Sequence, residues 1–151
     1  MAPEKPETPE WAPEAPRGRE TILLAEDQDD VRSTLSRLLR SHGYTVIDTE
    51  DGEEALSRIR AFRLDAVVLD INLPDIDGYG VLEGIRAMPD TAGLPVLILS
   101  GRHAAEDVRR AILLGARDYV TKPFTSQQLV GRVARLFRGR FTPAAYGASA
   151  S

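Results

Sequence analysis

The chain has 151 residues, of which 42% are hydrophobic and 28% are charged, with a net charge of −4 and no cysteine. This composition suits a single folded domain, and the lack of cysteine excludes disulfides, thiolate metal sites and a cysteine nucleophile. The acidic balance argues against direct nucleic-acid binding, because phosphate backbones are held by clustered Lys and Arg. Apolar stretches such as 94–99 are too short to cross a bilayer, and residues near the N-terminus lack the apolar core of a signal peptide. We therefore expect a cytoplasmic protein without membrane insertion.

The two ends of the chain differ in composition from its middle. Five of the ten prolines and five glutamates lie within residues 1–20, which predicts a disordered tail. Trp11 in this tail is either a docking anchor for a partner or an incidental aromatic. Residues 144–151 are mostly small and polar, and a flexible C-terminal tail is predicted over 139–151. The folded domain is therefore expected over residues 21–138.

Strand-like and helix-like patterns alternate about five times between the tails, which predicts an α/β fold with a doubly wound parallel sheet and helices on both faces. The predicted strands span residues 21–26, 44–48, 65–70, 95–100 and 116–120. Gly43 and Gly115 are expected to end the first and fourth helices. Asp51 and Glu54 resemble a capping box at the start of the second. The third is expected to stop before Pro89.

The fourth helix is predicted over about residues 104–114 and the fifth over about 126–138. In the fourth, Val108, Ala111 and Ile112 form the apolar face that is expected to pack inward. Gly131 lies inside the fifth and should cost up to about 1 kcal/mol relative to Ala.

Carboxylates stand at the ends of two predicted strands. Asp70 closes the apolar run 66–69, and Glu26 and Asp27 close the run 22–25. Ligands of parallel sheets bind beyond the carboxyl ends of the strands, so these acids are expected to converge. Two such charges 4 Å apart repel by roughly 4 kcal/mol at an effective dielectric near 20, which favours a hard divalent cation between them. The alternative is that the acids cap the helices that follow their strands.

Two further strand ends carry groups that suit a phosphoryl ligand. Ser100 ends the run 96–99 and offers a hydroxyl, while Lys122 follows 118–120 and offers a mobile positive charge. Taken singly, a serine there is usually a turn or cap residue, and a loop lysine is usually solvated. Their common position at the acidic edge favours a site for Mg²⁺ and a phosphoryl group.

Four segments together resemble the receiver domain of a two-component response regulator, of the stand-alone chemotaxis type. In chain order they are ILLAED at 22–27, VVLDINLPDIDG at 67–78, LSG at 99–101 and GARDYVTKPF at 115–124. Each is a weak signal by itself, but the four in this order and spacing are specific. The resemblance covers residues 21–138 and implies a flavodoxin-like strand order of 2-1-3-4-5.

The resemblance implies a phosphoacceptor and a metal site. Asp70 would accept a phosphoryl group from a sensor histidine kinase or a histidine phosphotransfer protein. Mg²⁺, with Mn²⁺ as the alternative, would be held by Glu26, Asp27, Asp70 and the backbone carbonyl of Asn72. The chain would assist its own phosphorylation and dephosphorylation without being a metabolic enzyme.

The resemblance also implies residues that bind the phosphoryl group and transmit the signal. Ser100 and Lys122 would bind the phosphoryl oxygens, and the Lys122–Pro123 bond would be cis. Ser100 and Tyr119 would form the switch, with Tyr119 turning inward as Ser100 moves toward the phosphate. Asn72 and Arg102 stand at positions that modulate the lifetime of the aspartyl phosphate.

The expected output surface is the fourth helix, fifth strand and fifth helix, which would meet a downstream target protein or a second copy in a phosphorylation-dependent homodimer. Arg109, Arg110, Arg117 and Tyr119 would change their exposure or pairing there. No specific residue pattern supports the homodimer.

Two other interpretations share parts of this pattern. An aspartate-nucleophile phosphatase of the haloacid dehalogenase type needs a second aspartate where Asn72 stands. A binding module that works without phosphate would fit the Glu26 and Gly101 departures, since Asp and Ala are the usual family residues. His42 and His103 match no ligand position and are expected at helix ends or on the surface.

Overall fold

A computed structural model describes residues 19–102 and 104–138 of the chain. Its strands are β1 (Thr21–Ala25), β2 (Thr45–Thr49), β3 (Ala66–Asp70), β4 (Val96–Ser100) and β5 (Asp118–Thr121). Its helices are α1 (Asp29–Ser41), α2 (Gly52–Ala61), α3 (Gly78–Ala87), α4 (Ala105–Leu113) and α5 (Ser126–Leu136). None of the helices in these two ranges combines the length and apolar character needed to span a membrane.

The strands form one parallel sheet in the order β2-β1-β3-β4-β5, as predicted. Each connection passes through a helix, so all five strands end at the same edge of the sheet. The observed strands begin or end one or two residues away from their predicted bounds. Trp11, His103 and nearly all of both predicted tails lie outside the described residues, and the division into tails and domain stays a prediction.

Two apolar layers bury the two faces of the sheet. One lies between the sheet and helices α2, α3 and α4 and contains Leu23, Leu69 and Ile98. The other lies between the sheet and helices α1 and α5 and contains Leu24, Val68 and Leu99. Successive strand residues therefore serve opposite layers, which explains why the strands are apolar along their whole length.

The helix ends follow the predicted signals with one correction. Gly43 and Gly115 have φ angles of 98° and 106°, the left-handed conformation that glycine adopts readily. The Asp51 side chain accepts a hydrogen bond from the Glu54 amide at 2.7 Å. The Glu54 side chain instead accepts from the amide of Glu50, so the capping box predicted for α2 is only half formed. His42 is the exposed residue that follows α1, as expected.

A complete capping box opens α5, where the sequence analysis predicted none. Thr125 Oγ1 accepts a hydrogen bond from the Gln128 amide at 3.0 Å, and the Gln128 side chain accepts one from the Thr125 amide at 2.8 Å. These two bonds satisfy two amides that the first turn of a helix leaves without intrahelical partners.

The inward face of α4 differs from the prediction. Ala111 is buried and Val108 packs against the core, but Ile112 is 46% exposed and Leu113 is 78% exposed. Leu114 packs against the core instead. The inward residues thus recur every three positions, and one step beyond Ala111 turns Ile112 by about 100° toward solvent.

Arg86 near the end of α3 joins two loops at the amino edge of the sheet. Its guanidinium donates to the carbonyls of Ala92 at 3.0 Å and Leu94 at 2.7 Å, and also to the carbonyl of Gly115. A Cβ atom at position 115 would overlap this guanidinium. The glycine therefore supplies both the φ angle and the space for the arginine.

We predict that Arg86→Met lowers the free energy of unfolding by about 2 to 3 kcal/mol, because the carbonyls lose a charged donor while the apolar stem is kept. Urea unfolding monitored by circular dichroism measures this change. Arg109→Met, at an exposed position of α4, is the matched control and should change stability by less than about 0.5 kcal/mol. Equal unfolding midpoints for the two variants would contradict the prediction.

Candidate functional site

Three carboxylates meet at the carboxyl edge of the sheet. Asp70 is the last residue of β3, while Glu26 and Asp27 follow β1, which is the neighbour of β3. One oxygen from each residue lies within 4.8 Å of the others. Glu26 and Asp70 are buried, and Asp27 is exposed. The structure therefore brings together the three acids that the strand ends pointed to.

Lys122 reaches into this cluster from the end of β5. Its Nζ lies 2.8 Å from Asp70 Oδ2 and 3.2 Å from Glu26 Oε1. The contact with Glu26 was not predicted, because the reach of a lysine side chain cannot be read from sequence spacing. The Lys122 amide donates to the Ser100 carbonyl at 2.8 Å, and the Lys122–Pro123 bond is cis as predicted.

The backbone of Arg102 lies between the two predicted switch residues. The buried Ser100 hydroxyl accepts a hydrogen bond from the Arg102 amide at 2.9 Å. The Tyr119 hydroxyl donates to the Arg102 carbonyl at 2.7 Å. Tyr119 is only 9% exposed, so its ring already lies inward in this structure.

Asn72 joins the loop after β3 to the same region. Its amide donates to Asp70 Oδ1 at 3.0 Å, while its side-chain oxygen accepts from Arg102 at 3.4 Å. The two residues predicted to modulate the phosphate lifetime are therefore in contact. Both remain exposed at the mouth of the site.

A family model described as the response regulator receiver domain matches residues 22–134. The chain belongs to this receiver family. Members of the family are signalling phosphoacceptors of two-component systems that interact with histidine kinases or phosphotransfer proteins and with downstream targets. Receivers bind Mg²⁺ in their acidic site, and this receiver has the corresponding acidic cluster.

Curated relatives of this receiver are longer regulators. The transcriptional regulatory protein PrrA of Mycobacterium tuberculosis is 42% identical over 119 residues, which are 79% of this chain and 50% of PrrA. The cell cycle response regulator CtrA of Brucella abortus is 37% identical over 117 residues, which are 78% of this chain and 50% of CtrA. The chain thus spans about half the length of these relatives.

Solved structures support the same fold. The chemotaxis protein CheY4 of Vibrio cholerae has a TM-score of 0.75 at 26% identity, covering 79% of this chain and 99% of that one. The receiver domain of a Pseudomonas aeruginosa sensor histidine kinase has a TM-score of 0.73 at 31% identity, covering 79% of this chain and 98% of its own. That structure contains a magnesium ion coordinated in the active-site cleft.

The donor set of this receiver fits a hard divalent cation. By formal charge, three carboxylates and one ammonium leave the cluster with two negative charges in excess. Burial and the nearby charge of Asp70 raise the pKa of Glu26 above its ordinary value. Burial alone lowers the pKa of Lys122, but the hydrogen bond and charge of Asp70, together with Glu26, raise it on balance. The lysine therefore compensates the acids only in part, and carboxylate oxygens are the ligands that Mg²⁺ prefers.

We predict that Glu26→Gln stabilises the metal-free receiver at pH 7. Because the pKa of Glu26 is raised in the folded state, its contribution to stability is fully present below the unfolded pKa and is lost as pH rises through the folded pKa. The gain in the free energy of unfolding from Glu26→Gln should therefore be near zero at about pH 4 and should increase as the pH rises. Urea unfolding in a chelator between pH 4 and 7.5 measures this difference.

The control for this prediction is Glu53→Gln, which removes an exposed carboxylate from the first turn of α2. Glu53→Gln should not show the increase in stability with pH that is expected for Glu26→Gln. Added Mg²⁺ should stabilise the parent more than Glu26→Gln, since ligand binding to the folded state adds to its stability. A Glu26→Gln protein less stable than the parent in chelator at pH 7 would show that the lysine contact outweighs the burial of the acid.

Proposed function

We propose that this receiver accepts a phosphoryl group on Asp70 from a sensor histidine kinase or a histidine phosphotransfer protein. The observation that carries the proposal is the position of the Asp70 carboxylate, which lies 2.8 Å from the Lys122 ammonium and beside Glu26 and Asp27. A carboxylate nucleophile, a mobile cation and a pair of metal-binding acids are the groups that phosphoryl transfer to aspartate requires.

In the proposed reaction a carboxylate oxygen of Asp70 attacks the phosphorus of the donor's phosphohistidine. A P–O bond forms as the P–N bond breaks. The electron pair of the P–N bond remains on the imidazole nitrogen, which takes up a proton. Lys122 then pairs with the phosphoryl oxygens, and the Ser100 hydroxyl donates to one of them. Hydrolysis of the resulting acyl phosphate, assisted by the same residues, returns Asp70 to its carboxylate.

Glu26, Asp27, Asp70 and the carbonyl of Asn72 would hold Mg²⁺ or Mn²⁺ in this site. The bound cation would neutralise charge on the acids and on the incoming phosphoryl group. The closeness of the three carboxylates supports this assignment. Arg102 and Asn72, in contact at the mouth of the site, would set how readily water reaches the acyl phosphate.

The proposed switch runs through the backbone of Arg102. Ser100 Oγ accepts from the Arg102 amide, and its hydroxyl hydrogen remains available to a phosphoryl oxygen. When Ser100 moves toward that oxygen, it displaces the backbone of Arg102. The Arg102 carbonyl, which the Tyr119 hydroxyl binds, moves with it. A charge change at Asp70 thereby becomes a shift of the loop that precedes α4.

The surface formed by α4, β5 and α5 would present this shift to a partner protein. Ile112 and Leu113 of α4 are large hydrophobic residues exposed on the described surface. Arg110 of α4 covers the ring of Tyr79 at 3.9 Å, a contact that a movement of α4 would alter. Arg117, just before β5, donates to the Leu136 carbonyl of α5 at 3.4 Å. The partner is a downstream target protein or a second copy.

The first test is phosphorylation by a small acyl phosphate in the presence of Mg²⁺, followed by intact mass spectrometry. We expect the parent to gain one phosphoryl group and Asp70→Asn to gain none. Asp75→Asn is the matched control, because Asp75 is exposed in the same loop with a φ of 70° that asparagine tolerates. It should be labelled like the parent.

The same test separates the other interpretations. Equal labelling of the parent and Asp70→Asn would reject Asp70 as the acceptor. Turnover of a generic phosphate ester without stable labelling would favour a phosphatase. Failure of the parent to become labelled by any donor would favour a module that works without phosphate.

The second test concerns the switch. We expect Ser100→Ala still to be labelled, but at equal labelling the change in amide hydrogen exchange over residues 101–107 on phosphorylation should fall at least about twofold. The reason is that alanine removes the hydroxyl that joins the phosphoryl oxygen to the Arg102 amide. Ser33→Ala, at an exposed position of α1, should leave the exchange change intact. A full exchange change in labelled Ser100→Ala would refute this route.

A further inference from the structure

Arg32 of α1 contacts the segment that carries the acids as well as Asp29 of its own helix. Its Nη1 donates to the Glu26 carbonyl at 2.9 Å and lies 3.5 Å from the Asp27 carbonyl. Its Nη2 lies 2.6 Å from Asp29 Oδ1. The side chain is only 17% exposed, so the guanidinium is held against the backbone carbonyls of both acids.

The i,i+3 pair with Asp29 supports the helix, but it does not account for the contacts of Arg32 with the carbonyls that precede the helix. Arg32 is the fourth residue of α1, near the end where the helix dipole is positive and a cation is unfavourable. Gln28 precedes the helix without making a side-chain cap. The contacts of Arg32 therefore join the start of α1 to the end of β1, a junction that a capping side chain does not secure.

The two acids at this junction are held very differently. The Glu26 amide donates to the Thr49 carbonyl at 3.1 Å, and the Glu26 carboxylate accepts from the Gln28 amide and from Lys122. The exposed Asp27 carboxylate has no hydrogen bond to another described residue. The direction of Asp27 therefore depends on its backbone, and the Arg32 guanidinium contacts that backbone at the Asp27 carbonyl.

We propose that Arg32 is a positioning residue for the metal-binding acids, acting through the carbonyls of Glu26 and Asp27. This inference rests on the proposed function, because it assumes that the two acids bind a divalent cation. Asp29 pairs with the guanidinium at 2.6 Å, which neutralises its charge and limits its repulsion of the cation. The forked guanidinium contacts the two carbonyls through Nη1 and the Asp29 carboxylate through Nη2, an arrangement that a lysine ammonium cannot reproduce in the same geometry.

The test is direct binding of Mn²⁺ to the unphosphorylated protein, with free Mn²⁺ followed by electron paramagnetic resonance. We expect Arg32→Ala to raise the Mn²⁺ dissociation constant about tenfold, the scale typical of residues that orient metal ligands. The dissociation constant of Arg32→Lys should lie between those of the parent and Arg32→Ala, since lysine keeps the apolar stem and can donate in one direction. Circular dichroism establishes that each variant is folded at the temperature of the titration.

Arg37→Ala is the matched control. Arg37 lies on the same helix, and its guanidinium contacts the Ser33 hydroxyl at 3.4 Å rather than the acidic segment. We expect it to bind Mn²⁺ with the parent's affinity. Asp27→Asn, which removes a proposed ligand, should abolish most of the binding and so identify the site that the titration reports.

The outcomes separate the two levels of the hypothesis. If the parent binds Mn²⁺ no better than Asp27→Asn, the proposed metal site fails, and the role of Arg32 fails with it. If the parent binds and folded Arg32→Ala has the same affinity, the role of Arg32 alone fails. If Arg32→Ala does not fold, Arg32→Lys decides, and a parent-like affinity in that variant overturns the inference.

Discussion

The repulsion among three carboxylates at one edge of the sheet is the constraint on which this structure depends. Glu26 and Asp70 are buried and share a single ammonium group from Lys122, while Asp27 stands beside them in solvent. Buried charges are tolerated only when they are paired or bind a cation. A divalent cation would offset this excess of negative charge, whereas a phosphoryl group on Asp70 would increase it, so the charge balance of the site depends on what is bound there.

The fold holds these charges together because its core is apolar on both faces. Strands β1, β3 and β4 are covered by helices on either side, so their ends have little freedom to move apart. The rigid sheet therefore carries the acids, whereas the loop at Arg102 carries the contacts that a switch would change.

The parallel sheet could be predicted because its strands are apolar throughout and its acids stand at strand ends. The strand order and the cis bond before Pro123 came from the resemblance to receivers, since neither follows from periodicity. Side-chain reach was not predictable: Lys122 contacts Glu26 as well as Asp70, and Arg86 joins two distant loops. Ile112 was misplaced because α4 is short, and apolar spacing over nine residues does not decide between neighbouring positions on its face.

The connection between Ser100 and Tyr119 uses the amide and carbonyl of position 102 and not its side chain. Main-chain groups are the same for almost every amino acid, so the side chain at 102 is free to vary without loss of this link. Only proline, which lacks the amide hydrogen, would break it. Under the proposed function, a substitution at 102 would therefore change the lifetime of the acyl phosphate without changing the main-chain contacts that join Ser100 to Tyr119.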